Sequence, residues 1–137
     1  MDLSGTWRAA PAREELRRTF HQPALDDRHW VRVAVPGPWA EAPELAGERS
    51  VLHRRRFSTT PLEKGHRRWL CLDGIVQQGD IWLDGAYVGD TDGYFVPHRF
   101  EVTDLLADTD AHLLAIDATV PTAVSYTHLT LPTNREV

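Results

Sequence analysis

Cysteine is nearly absent from this chain of 137 residues: Cys71 is the single one. One thiol forms no internal disulfide and no cysteine metal cluster. It sits in the apolar run Trp69-Leu70-Cys71-Leu72 and reads as a small buried core residue. Long apolar runs are missing too. No stretch approaches the ~20 residues that a membrane span needs. The opening Met1-Asp2-Leu3-Ser4-Gly5-Thr6-Trp7 lacks the positive region and apolar run of a secretory signal. The expectation is a cytoplasmic protein with no membrane partner. Positive charge is in the minority, and the net charge of −5 argues against a nucleic-acid partner. The basic run Arg54-Arg55-Arg56 reads instead as strand residues, solvated or paired at a sheet face, because neighbours in a strand point to alternate faces.

Common catalytic signatures are absent as well. There is no G-x-S-x-G, no P-loop and no G-x-G-x-x-G. The seven histidines are scattered without zinc spacing. Asp104, Asp108 and Asp110 lack the order of a calcium loop. Neither a metal nor a cofactor is expected. Glu14-Glu15, Asp26-Asp27 and Asp80/Asp84 are carboxylate pairs only in sequence and read as solvated, so no catalytic residue is assigned.

What the chain does contain is an ordinary globular composition, 42% hydrophobic and 26% charged, at a length that suits one domain. Its strongest local signal is Asp84-Gly85, with Ile81, Leu83 and Tyr87 alternating with their neighbours around it. Asp-Gly between short apolar runs predicts a type I′ hairpin, because that turn needs φ > 0 at both central residues. Further strands are expected over 3–9, 30–35, 51–59, 68–73 and 112–120. Residues 13–20 suit one or two helical turns, and Thr103 a cap for a single turn through Leu106. Pro36-Gly37-Pro38 marks a corner, and 41–49 reads as a polar surface loop. Seven to eight short strands with almost no helix predict an all-β, two-sheet sandwich. The five tryptophans, at 7, 30, 39, 69 and 82, are expected to supply much of its inner volume, with Trp69 and Trp82 largely buried.

The ordered set of motifs resembles the N-terminal sugar-binding domain of family 2 glycoside hydrolases, the β-galactosidase, β-glucuronidase and β-mannosidase group. Leu3-Ser4-Gly5-Thr6-Trp7 is similar to the family's entry strand, and Val33-Ala34-Val35-Pro36-Gly37-Pro38-Trp39 to its V-x-V-P-G-x-W corner. His53-Arg54-Arg55-Arg56-Phe57 resembles Y-R-R-x-F, with His53 in the aromatic place. Gly74-Ile75 and Ile81-Trp82-Leu83-Asp84-Gly85 resemble G-V and V-W-x-N-G, with Asp84 for Asn. Gly93-Tyr94, Pro97 and Glu101-Val102-Thr103-Asp104-Leu105 resemble G-Y, P-x-x-F and D-V-T.

The resemblance implies a jelly-roll β-sandwich similar to galactose-binding domains. It implies packing against an immunoglobulin-like domain and a (β/α)8 barrel, with the barrel's two glutamates hydrolysing β-glycosidic bonds. This chain's share would be loop contacts to the carbohydrate. The loop before the Y-R-R strand maps onto Gly47-Glu48-Arg49-Ser50, and a second loop onto Asp92-Gly93-Tyr94. Glu48, Arg49, Asp92 and Tyr94 are the candidate substrate-binding residues. The alternatives are a stand-alone carbohydrate-binding module using coplanar exposed aromatics, and an interaction sandwich without ligand. The residues do not name the sugar.

The C-terminal segment stands apart. Val124 to Thr133 can be encoded by a nucleotide string that resembles a transposase adapter used to prepare sequencing libraries. The expected organisation is therefore a sugar-binding sandwich over 1–123, incomplete at its C-terminal end, and a non-native tail over 124–137.

Overall fold

The computed structural model describes residues 1–72, 78–91, 98–106 and 110–119, together with the backbone of 128–129 and 132–136. Its strands are β1 (Gly5–Pro11), β2 (Val31–Val35), β3 (Gly37–Pro38), β4 (Ser50–Ser58), β5 (Arg68–Leu72), β6 (Gln78–Leu83), β7 (Ala86–Thr91), β8 (His98–Glu101), β9 (Ala111–Thr119), β10 (His128–Leu129) and β11 (Pro132–Glu136). One short helix, α1 (Glu14–Arg17), follows β1. A six-stranded sheet runs β2-β1-β4-β9-β6-β7, and a three-stranded sheet runs β11-β5-β8; every pairing is antiparallel. A two-stranded ladder joins β10 to β3.

Alternation builds the core. Trp7, Val33, Val51, Ile81, Leu83, Leu114 and Ile116 lie on one face of the large sheet and pack against Leu70 and Leu72 of the small one. Burying this apolar surface is the main favourable term in folding. Trp7 fixes the entry strand further, its indole N–H donating to the Leu3 carbonyl at 2.8 Å.

The opposite face of the large sheet is covered too, by the segment from Ala12 to Trp30. Phe20, fully buried, meets Leu52 and Ala115 there, with Leu16, Trp30 and Trp82 beside it. β9 is therefore buried on both sides, which is why His112 to Ile116 reads as a nearly unbroken apolar run. Arginines fasten this cover. Arg54, 1% exposed, donates to the carbonyls of Gln22 and Leu25 and to Asp27, while Arg8 and Arg56 donate to further carbonyls of the cover.

Several sequence expectations change. Trp69 and Trp82 are half-buried, and only Trp7 and Trp39 enter the core between the sheets. Trp82 lies on the outer face against Phe20 and His21, and Trp69 lies under the Arg99 guanidinium at 5.1 Å. Tyr87 does not share the face of Ile81 and Leu83. The hairpin turns at Asp84 (φ 52°) and Gly85 (φ 86°), which sets Tyr87 opposite Trp82, exposed. The polar loop 41–49 hides Leu45, fully buried at the end of a 3-10 turn. Thr103 does not cap a helix; its hydroxyl accepts the Arg68 N–H at 2.8 Å. Gly74-Ile75, Pro97 and Val120 lie outside the described residues.

Candidate functional site

Register gathers the candidate loops. Pro11 pairs with Val51, Ser50 with Thr119, Gln78 with Thr119, and Gly79 with Thr91. The end of β1, the start of β4, the end of β9, the start of β6 and the end of β7 thus lie along one end of the large sheet. The loop 46–49 enters β4 there, and the chain leaves β7 there toward 92.

Glu48 and Arg49 sit on that loop after Gly47, whose φ of 84° is the left-handed turn that glycine adopts without strain. The backbone of Glu48 is pinned twice: its N–H donates to Leu45, and its carbonyl accepts the Trp39 indole N–H at 3.2 Å. Its carboxylate accepts a two-pronged ion pair from Arg13 at 2.9 and 3.3 Å. Glu48 therefore ties the loop to the end of β1. Arg49 is exposed and makes no hydrogen bond or ion pair with a described residue, so its guanidinium is available to a ligand. Ser50 and Thr119 join hydroxyls at 2.9 Å across the strand ends. Asp92 and Tyr94 lie outside the described residues; the strand leading to them ends at Thr91, buried at this same end.

The carboxylates adjacent in sequence are separated by their partners. Asp26 accepts from Arg28, which holds its carboxyl well below the usual range, and Asp27 accepts from buried Arg54 at 2.7 Å. Asp80 accepts the Tyr87 hydroxyl at 3.0 Å, which after burial helps push that phenol up to about 12. Glu14, at the start of α1, pairs with Arg18 just beyond its end.

Two arrangements escaped the sequence reading. Asp80 is the cross-strand partner of Asp117, and burial pushes the Asp117 carboxyl up against the opposing pull of Arg17. At the far end of the sheet, the Asp84 carboxylate takes Nδ1 of His112 at 2.6 Å and the Leu113 N–H at 2.8 Å, and Thr59 Oγ meets His112 Nε2 at 3.0 Å. A cavity of about 280 Å³ adjoins Asp84 and His112. Hydroxyl, imidazole and carboxylate lie in the order of a proton relay, but Thr59 is not in the cavity wall. The trio locks the hairpin turn onto β9. The one available signal was Asp84 itself, an acid where the resemblance places an amide.

Exposed aromatic platforms do not appear among the described residues. Tyr87 is the exposed ring, and its neighbour Trp82 lies at 66° to it, not coplanar.

Comparison with known proteins decides the family. The model of the glycosyl hydrolase 2 galactose-binding domain-like family matches residues 40–128, more than half of the chain. The chain belongs to this family. It is 32% identical over 76 residues to beta-mannosidase B of Thermothelomyces thermophilus, covering 53% of this chain and 9% of that protein. It is also 32% identical over 68 residues to the beta-galactosidase large subunit of Latilactobacillus sakei, covering 50% and 10%. In fold, a glycosyl hydrolase family 2 member from Bacteroides cellulosilyticus superposes with a TM-score of 0.80 over 100% of this chain and 20% of its own, at 17% identity. The chain thus spans about a tenth of the relatives' length, and the glycosyl hydrolase 2 match takes in the whole of the 46–49 loop. Among the described residues no helix is long and apolar enough to cross a membrane.

Proposed function

We propose that this sandwich is the N-terminal sugar-binding domain of a cytoplasmic family 2 glycoside hydrolase. In that reading it supports hydrolysis of β-glycosidic bonds by a barrel domain outside this chain and packs on that barrel and an immunoglobulin-like domain. The observation that carries the reading is the family match over 40–128, which takes in β4, β6, β7 and β9, four of the five strands whose ends converge around Glu48 and Arg49. Retaining hydrolysis needs two carboxylates about 5 Å apart across the scissile bond. Here Asp26, Asp27, Glu48 and Asp84 are each committed to a cation or an imidazole. Arg49 is assigned the direct contact, as a donor to sugar hydroxyls; Asp92 and Tyr94 belong to the same proposed surface. Glu48, held by Arg13, is assigned the positioning of that loop. Residues 1–123 form the functional unit in this proposal, and 124–137 are a non-native tail.

The test has two arms. The purified chain alone turns over no aryl β-glycoside; turnover that disappears on mutating an acid of this chain overturns the proposal. In the parent enzyme, Arg49→Ala raises KM about tenfold, the scale of one charged hydrogen bond, with kcat little changed. An unchanged KM removes Arg49 from the sugar site.

A further inference from the structure

The outer face of the large sheet carries an unusual density of positive charge for a chain whose net charge is −5. Arg32, Arg8 and Arg54 are direct cross-strand partners on β2, β1 and β4, and Arg56 lies one pleat further along β4. Like charges directly opposite one another destabilise a sheet. Beside this row opens a cavity of about 340 Å³, lined by Arg8, Arg28, Arg54 and Arg56, with Thr6 and one acid, Asp27. Arg55 also borders it, but alternation gives its side chain to the other face.

Asp27 is already used by Arg54, and Arg28 by Asp26 outside the wall. Among the described residues, Arg8 and Arg56 have no carboxylate partner. Each spends one terminal nitrogen on carbonyls of the cover and keeps its remaining N–H donors. Arg54 lies at the base, fully buried, with Nε making no hydrogen bond. Burial lowers its affinity for the proton, Asp27 opposes this, and the neighbouring Arg56 adds to it. The cavity is therefore short of negative charge at its floor and rim.

We infer that this pocket binds a small tetrahedral oxyanion, phosphate or sulfate, on Arg8 and Arg56 with the buried charge of Arg54 beneath. Guanidinium forks match such oxygens in pairs. The Thr6 hydroxyl at the rim supplies a further donor. The same oxyanion comes either free or carried on a sugar.

Titration of the 137-residue chain with inorganic phosphate and sulfate tests this, at ionic strength held constant with chloride and followed by calorimetry and amide NMR. Saturable one-to-one binding is expected, with shifts centred on residues 6–8, 27–28 and 54–56. Arg8→Gln and Arg56→Gln each weaken it about tenfold or more, the scale of a charged hydrogen bond. Arg18→Gln, just after α1 and outside the pocket wall, leaves it unchanged. Glucose 6-phosphate binding more tightly than phosphate marks the anion as carried on a sugar; equal binding marks it as free. The inference is overturned if phosphate gives no saturable signal beyond chloride, if the shifts centre elsewhere, or if both variants bind like the parent. The wild-type arms stand whether or not a variant folds.

Discussion

His53 stands where Trp7 and Trp39 converge, 6.4 and 5.7 Å from their rings, and 1% exposed. Burial holds its pKa down to about 4, with the Val51 carbonyl beside Nδ1 pulling the other way. The ring is neutral in the fold. The unfolded chain takes up its proton below about 6.5, whereas the folded chain resists until about 4. Stability from this residue is therefore complete above about pH 6.5 and is lost as the pH falls toward 4, by up to roughly 3 kcal/mol. His53→Tyr, the aromatic of the resembled motif, is expected to flatten the fall in urea midpoint between pH 7 and 4.5. A variant with the parent's pH slope assigns the acid sensitivity to other groups.

At the scale of elements, local chemistry was readable and distant chemistry was not. Asp84-Gly85 fixes its own turn through positive φ, so the hairpin is legible in two residues. β9 is legible on its Leu114, Ile116 and Ala118 side. On its other side Ala115 gains meaning only from Phe20, nearly a hundred positions earlier, and nothing periodic in 12–30 announces a cover. For the same reason Trp82 was misplaced: the sheet has an outer apolar patch that alternation alone assigns to solvent. The resemblance places the loop 47–50 before the Y-R-R strand without choosing among its residues, and its shared end with Thr91 and Thr119 follows from strand order, which no local pattern encodes.

The cover makes its own prediction. Arg54→Ala leaves the Asp27 carboxylate without its guanidinium and takes one donor each from the Gln22 and Leu25 carbonyls, which keep the Leu25 N–H and Arg56. Breaking a buried pair from one side costs about 3–5 kcal/mol. The loss is expected to appear first as release of the cover, with faster tryptic cleavage at Arg17, Arg18 and Arg28. Equal cleavage rates in variant and parent would show that the hydrophobic contacts of Phe20 and Trp30 hold the segment without the arginine.

For the molecule as a whole, the open question is the edge of the small sheet. β11 pairs with β5 in continuous register, Pro132 with Leu72, Asn134 with Leu70 and Glu136 with Arg68. Directly opposed residues of an antiparallel ladder share a face. Leu70 and Leu72 belong to the core, and their partners in the ladder are Asn134 and Pro132. Proline also donates nothing to a ladder. A strand selected for this edge carries apolar residues at both places. Our proposal is that 124–137 is a non-native tail, taking up an edge which another strand fits better. Deleting 124–137 is then expected to change the melting temperature little. Replacing it with the parent gene's own continuation raises it by several degrees, equivalent to ~1–2 kcal/mol or more. If the deletion instead unfolds the domain in a thermal melt, β11 is a native strand, the unit extends beyond residue 123, and the adapter-like string is coincidence.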